Sequence, residues 1–295
     1  MENYNLKKIN DMARYIVYTY QFSPIVTKQR NLFENNPQSL AEIMSQKQEI
    51  FGNIFNGELH FMGKNTEYSH RVLYNQDNII VFRLANRKYQ SLEEDFSIKK
   101  YQYSPSCLVI IDNRKNIQHI AIEEDLKAFQ DTETVKNILT YTFSQYLKAN
   151  RLHIEIQREY QDSEFWNLIR QYPNGMSMVR FRFSYPNLPR VSKSIGKMIS
   201  DASRVTNSQQ TVFEFNAAPN NQLTLEKRDS KLSGLAKASA DSGNAITLKA
   251  KGYRRHIHTG HTSKSLEIDN LVILLQGDLM ETATDKLVKE LNKIK

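Results

Sequence analysis

The sequence predicts an α+β protein of mixed or antiparallel sheets with interspersed helices, in two lobes. Three observations lead there. Strand-like apolar runs stand side by side, 67–74 beside 78–84 and 107–111 beside 117–122, close enough for short turns to fold them into hairpins. Helix-period segments fall between these pairs at irregular intervals, whereas a parallel sheet would need strands and helices to alternate. Charge is divided unevenly: residues 165–265 hold sixteen Lys and Arg against five acids, a net +11, while residues 1–164 hold twenty against twenty-one.

The elements follow in order. Residues 1–12 are polar and read as a disordered tail, and order begins at 13–22, a β-rich run closed by Ser23 and Pro24. Leu40, Ile43, Met44, Ile50, Ile54 and Phe55 keep helical spacing over 37–56, with Pro37 suited to the first turn. Beyond the first strand pair, 91–104 is charged and reads as a loop. Residues 112–116 turn the second pair. A helix at 132–150 sets Val135, Ile138, Leu139, Phe143 and Leu147 on one face. A strand at 152–157 and a short helix at 163–172 lead into the basic stretch. That stretch reads as a strand at 178–184, a helix at 190–205, strands at 210–216 and 222–226, a helix at 229–241 and a strand at 245–251. Residues 252–265 are hairpin or loop, 271–275 a strand and 279–294 a closing amphipathic helix. The change in charge places an N-terminal domain at 13–150 and a basic one at 151–295. No Pro/Gly-rich linker marks the boundary, so a single bilobed unit stays open as the alternative.

Composition narrows the function. At 40% hydrophobic and 24% charged the chain has the means to bury a core, which excludes wholesale disorder. No apolar run approaches the roughly 20 residues that span a bilayer. The N-terminus lacks the apolar centre of a signal peptide, and the lone Cys107 excludes an intramolecular disulfide framework. The expected location is cytoplasmic.

A basic block in an otherwise balanced chain predicts a polyanionic partner, because solubility alone would be served by charge spread evenly. The sharpest element is the helix at 190–205. On a helical wheel Arg190, Lys193, Lys197 and Arg204 form one stripe, almost opposite Val191, Ile195, Met198, Ile199, Ala202 and Val205. Surface helices usually interleave charge signs, yet 165–200 contains six cations and no acid. Strand alternation gives a second set. Arg180 and Arg182 alternate with Val179, Phe181 and Phe183, and Lys249 and Lys251 alternate with Ile246, Leu248 and Ala250. Arg254, Arg255 and Lys264 complete an acid-free run over 242–266. The expected target is double-stranded DNA, bound by phosphate neutralisation with little sequence preference. The helix at 279–294 offers a face for a homodimer.

Other chemistries are less well served. His256, His258 and His261 have the spacing of the metal motif of metallo-β-lactamase-like hydrolases, but Gly260 stands where that motif has Asp and no histidine follows. Asp112 and the run Glu123, Glu124, Asp125, Lys127 form a loose acid–acid–Lys layout, which keeps a metal-dependent nuclease as one alternative. An RNA-binding protein of a toxin or defence system, stacking bases on some of the fifteen tyrosines, is the other. No P-loop, nucleophile elbow or zinc-protease motif is present, so no catalytic residue, metal or cofactor is expected.

The segments NIIVFRL, SCLVIID, FRFSYPNLPRVSKSIGKMI and above all AITLKAKGYRRHIHTGH resemble the RexA-type phage-exclusion proteins of anti-phage defence, over roughly 75–275. The resemblance implies a cytoplasmic, dimeric protein that binds duplex DNA, does no chemistry of its own and acts with a membrane effector protein.

Overall fold

The computed structural model describes residues 12–25, 39–115, 117–184, 193–206, 208, 210–269 and 288–292. Every ladder between its strands is antiparallel. An eight-stranded sheet is organised around one long strand, β1 (Met12–Pro24). On one side β1 pairs with β8 (His119–Glu123), followed by β7 (Ser106–Asp112), β4 (Ile79–Ala85), β3 (Glu67–Gln76) and β2 (Phe61–Met62). Its other edge is shared. Residues 12–16 pair with β14 (Ser265–Asp269), and residues 18–24 with β9 (Leu152–Arg158).

The central strands of this sheet, β1, β4, β7 and β8, are buried on both faces. On one lie α1 (Leu40–Ser45), α2 (Lys47–Asn53) and α3 (Thr132–Lys148), around an aromatic cluster in which Phe51 meets Phe143 at 5.0 Å and Tyr20 at 5.2 Å between ring centroids. On the other, Tyr15, Val81 and Ile110 pack with Leu291 of the helical segment 288–292. Coverage on both sides explains why β4 and β7 read as unbroken apolar runs instead of alternating. Asp131 caps α3 by accepting from the Thr134 N–H.

The expected helix over 37–56 is broken at Gln46 into α1 and α2, and ends in a 3₁₀ turn at Ile54–Asn56. Its first cap is Ser39, in a capping box with Glu42; Pro37 lies outside the described residues. The expected loop at 91–104 is a hairpin of β5 (Lys88–Glu94) and β6 (Ser97–Tyr103). It touches no core, so its residues carry no buried stripe to betray strand period. The strand expected at 222–226 is extended chain held by one bond, Leu223 N–H to Met176 C=O. The expected tail before residue 12, the strand at 271–275 and most of the helix at 279–294 fall outside the described residues.

A second sheet has the order β11 (Gln210–Asn216), β10 (Met176–Ser184), β12 (Thr247–Ala250), β13 (Ile257–His258). Helices α4 (Ser163–Gln171), α5 (Lys193–Thr206) and α6 (Ser230–Asp241) contribute Phe165, Trp166, Ile199 and Leu235 to its core, against Phe181, Phe183 and Leu248. Because β9 and β14 both pair with β1, this unit is an insertion of about 160–264 into the first one. The charge shift near 150 marks its approach and not its edge.

The two units join at the gap between β9 and β14. Glu159, fully buried, accepts from Lys264 Nζ at 3.0 Å and lies 2.9 Å from His119 Nε2. Lys264 also reaches Asp241, at the end of α6, at 3.1 Å. Burial disfavours the Glu159 carboxylate, but His119 and then Lys264 outweigh it and hold the carboxyl below its ordinary range. Beside this cluster Gly243 (φ +70°) packs on β9; a Cβ there would sit 2.6 Å from Gln157 Cβ and 2.7 Å from the Arg158 carbonyl oxygen, so only glycine fits. No helix among the described residues is long and apolar enough to cross a membrane.

Candidate nucleic-acid interface

The period of two along β10 decides which side chains meet. Val179, Phe181 and Phe183 point into the helix-covered core, which turns Arg180 and Arg182 to the opposite face. In β12, Leu248 and Ala250 are buried in that core, and Thr247 and Lys249 lie on the opposite face, where Thr247 and Met178 are themselves buried, at 9% and 5% exposure, and Lys249 is half-buried. Register brings the outward residues together: Arg180 lies opposite Thr247, and Met178 opposite Lys249. On β11 the same face carries Val212 opposite Arg182 and Glu214 opposite Arg180. β13 adds His258, whose Nδ1 is 3.2 Å from Thr247 Oγ1. The result is a face that none of the described helices covers, with Arg180, Arg182 and Lys249 on three adjacent or near-adjacent ladder rungs.

Among the described residues of these strands, one carboxylate shares that face. Glu214 accepts from Arg180 Nε and Nη2, each at 2.6 Å, and from Asn216 Nδ2 at 3.0 Å. The bonds from Asn216 and Arg180, with the charge of His256 nearby, hold its carboxyl below the ordinary range. Arg180 is therefore neutralised within the sheet. Arg182 makes no ion pair among the described residues. Beyond β12 the chain turns at Gly252 (φ +85°), Lys251 donates to the Asn220 carbonyl at 2.6 Å, and Arg254 and Arg255 are exposed at the sheet's end. Tyr253 is exposed too, edge-on to Tyr172 at 5.4 Å.

The helix is elsewhere. α5 docks through Ile199, in the core with Phe183, and through Ser203, whose Oγ is 3.2 Å from Thr211 Oγ1. Thr211 is paired with Phe183 and shares its inward face. Hence α5 packs on the covered side of the sheet, and exposed Lys197 stands on the side opposite Arg182 and Lys249. The docking seam also differs from the expected apolar arc. It includes Ile199 and Ser203 and leaves Ala202 exposed and Val205 86% exposed; Val191 lies outside the described residues, and for Ile195 and Met198 the backbone alone is described. Arg190 lies outside the described residues, and for Lys193 and Arg204 the backbone alone is described. Lys264 is withdrawn from any surface role by Glu159 and Asp241.

The other candidates have structural partners. Asp112, fully buried, is held bidentately by Arg114 at 2.8 and 2.6 Å. Asp125 caps its own turn by accepting from the Lys127 and Ala128 N–H groups, and Glu123 accepts from the Leu108 N–H at 2.7 Å. Cys107 is buried, and burial pushes its thiol pKa up. At His261 the chain is shaped around a carboxylate: the N–H groups of Gly260, His261 and Thr262 all donate to Glu164 of α4. Among the described residues no three His, Cys, Asp or Glu side chains are placed to hold a metal ion. A polar cleft of about 590 Å³ lies at the far end of the first sheet, lined by Gln48, Asn53, Asn75 and Asn113 among others, and takes in no residue expected from the sequence.

Sequence reasoning missed Glu214 as the partner of Arg180 and the place of His258 opposite Thr247 on the same face. The chain matches no protein-family model and no curated protein.

Proposed function

We propose that the chain binds double-stranded DNA with little sequence preference, through the open face of its second sheet. The observation that carries this reading is the gathering of Arg182 and Lys249, beside the Arg180–Glu214 pair, on a sheet face that none of the described helices covers, with Lys251, Arg254 and Arg255 at its margin. Cations spaced along strands contact phosphates and set orientation without reading bases. The basic helix would act at most on a second, separate surface. The likeness of 245–261 to the RexA-type proteins falls in β12, its turn and β13, and supports a role as the DNA-sensing component of phage exclusion, a homodimer acting with a membrane effector.

The test is duplex binding by fluorescence anisotropy over a salt series. About four neutralised phosphates would lower affinity roughly 10²-fold between 50 and 200 mM salt. Arg182→Glu with Lys249→Glu is expected to weaken binding to all duplexes alike by at least about tenfold. Affinity independent of salt, or unchanged in that variant, refutes the assignment. Preference for structured RNA or single strands in the same assay would move the reading to the RNA-binding alternative.

A further inference from the structure

The hairpin of β5 and β6 projects from the first sheet with no core of its own. Two strands alone are marginal in water, and this pair exposes Tyr89, Leu92, Ile98, Tyr101 and Tyr103. At its tip Phe96 is 99% exposed. The turn there has Asp95 at φ 50° and Phe96 at φ 58°. The turn between β3 and β4 has the same form, with Asp77 at 54° and Asn78 at 60°. Asparagine tolerates the left-handed region, whereas an aromatic residue there is an outlier. The chain thus holds an aromatic ring at full exposure in a backbone conformation that disfavours it, with nothing in the fold gained by doing so. Such strain points to a use.

The chemistry around Phe96 defines the partner. Glu93, Glu94 and Asp95 precede it, and Lys99 is taken up by Glu94 at 3.0 Å. Glu93 and Asp95 make no ion pair among the described residues. An acidic tip is repelled by phosphates and anionic lipid, which turns it away from nucleic acid and membranes. It fits a cationic protein surface with an apolar centre. The nearest match in the chain is at the edge of the second sheet's open face, where Val212 of the edge strand β11, 45% exposed, lies directly opposite Arg182.

We propose that the β5–β6 arm of one copy docks on the open sheet face of a second copy, Phe96 resting on Val212 with Arg182 against its ring and Glu93. Two arms exchanged about a two-fold axis make a closed dimer. An arginine over an aromatic face gains a cation–π contact, and the flanking acids add complementary charge. The same face is then offered either to a duplex or to a second copy's arm. The docking stands whether or not the face takes DNA.

The test is sedimentation velocity of the full chain, cleared of nucleic acid, over a concentration series at low and high salt. Association is expected, weakened by salt. Phe96→Gly should weaken it by at least about tenfold; this change relieves the turn, so the arm itself is kept. Glu93→Arg and Arg182→Glu should each weaken it, and together restore it. A wild-type chain that stays monomeric throughout overturns the proposal, as does association indifferent to Phe96→Gly. Association lost in Phe96→Gly but unaltered by Arg182→Glu, or not restored by the charge exchange, also overturns it, since the arm would then rest on another surface. Because no duplex is present, failure here is distinct from failure of DNA binding.

Discussion

The two sheets use the same antiparallel ladder and differ in how many faces they hide. β7 of the first sheet is apolar on both sides: Val109 and Ile111 face the aromatic cluster, Leu108 and Ile110 the layer that includes Leu291. β10 of the second is apolar on one side, with Phe181 inward and Arg180 and Arg182 outward. A face that must be buried leaves little freedom in what its residues are. The open face is constrained by packing only around Met178 and Thr247; at exposed positions such as Arg182 and Val212 charge can be placed at small cost to stability. The first sheet is a scaffold, and the second is where the chain can afford a surface with a purpose.

The comparison can be broken most directly by placing a lysine on each. Ile110→Lys would bury an ammonium group on the first sheet's second face, and is expected to cost more than about 4 kcal/mol in urea unfolding. Val212→Lys on the open face, at concentrations low enough to keep the chain monomeric, should stay within about 0.5 kcal/mol. Equal effects there would mean that the face is covered within a single chain.

Next in size is the junction between the sheets. Glu159→Gln keeps the side chain's volume but removes the charge that faces Lys264 and His119, an expected loss of about 3 kcal/mol. The sign with pH is fixed. A carboxyl held below its ordinary range contributes stability above the ordinary glutamate value of 4.5, and that contribution is lost as pH falls through the lowered value. The advantage of wild type over the variant should therefore shrink on acidification, and an advantage that grew would remove the cluster from the account of the junction.

The smallest expected effect is a null. Lys197→Glu sits on the helix side, where salt at 0.1 M screens it from the open face beyond about 10 Å. Duplex affinity should change by less than about threefold in the anisotropy assay. A loss as large as that of Arg182→Glu with Lys249→Glu would restore the helix to the binding surface.

Periodicity made most of the scaffold legible. Doubly buried strands such as 79–85 and 106–112 show as apolar runs, and α3 as a stripe from Val135 to Leu147. The β5–β6 arm was hidden because it buries neither face and turns on Asp95 and Phe96 without glycine or asparagine. The basic strands were legible by alternation. Their relation to the helix was not: a wheel shows which residues share a side of α5, but its docking depends on Ser203 meeting Thr211, eight residues on in the next strand. Lys264 was misplaced for a similar reason. Its partners Glu159 and Asp241 are distant in sequence, and a count of charges cannot see them.

The insertion leaves and re-enters the scaffold through neighbouring rungs, Glu159 bonding to Val17, Lys264 to Glu159, and Tyr160 bridging Ser263. Its two stems are thus about one strand spacing apart, close to 5 Å. A gap that narrow could be closed by a tight turn, leaving β9 and β14 in place along β1. The inserted unit is in this sense a replaceable cartridge: its contents can diverge, lengthen or be exchanged while the frame that carries the arm stays as it is.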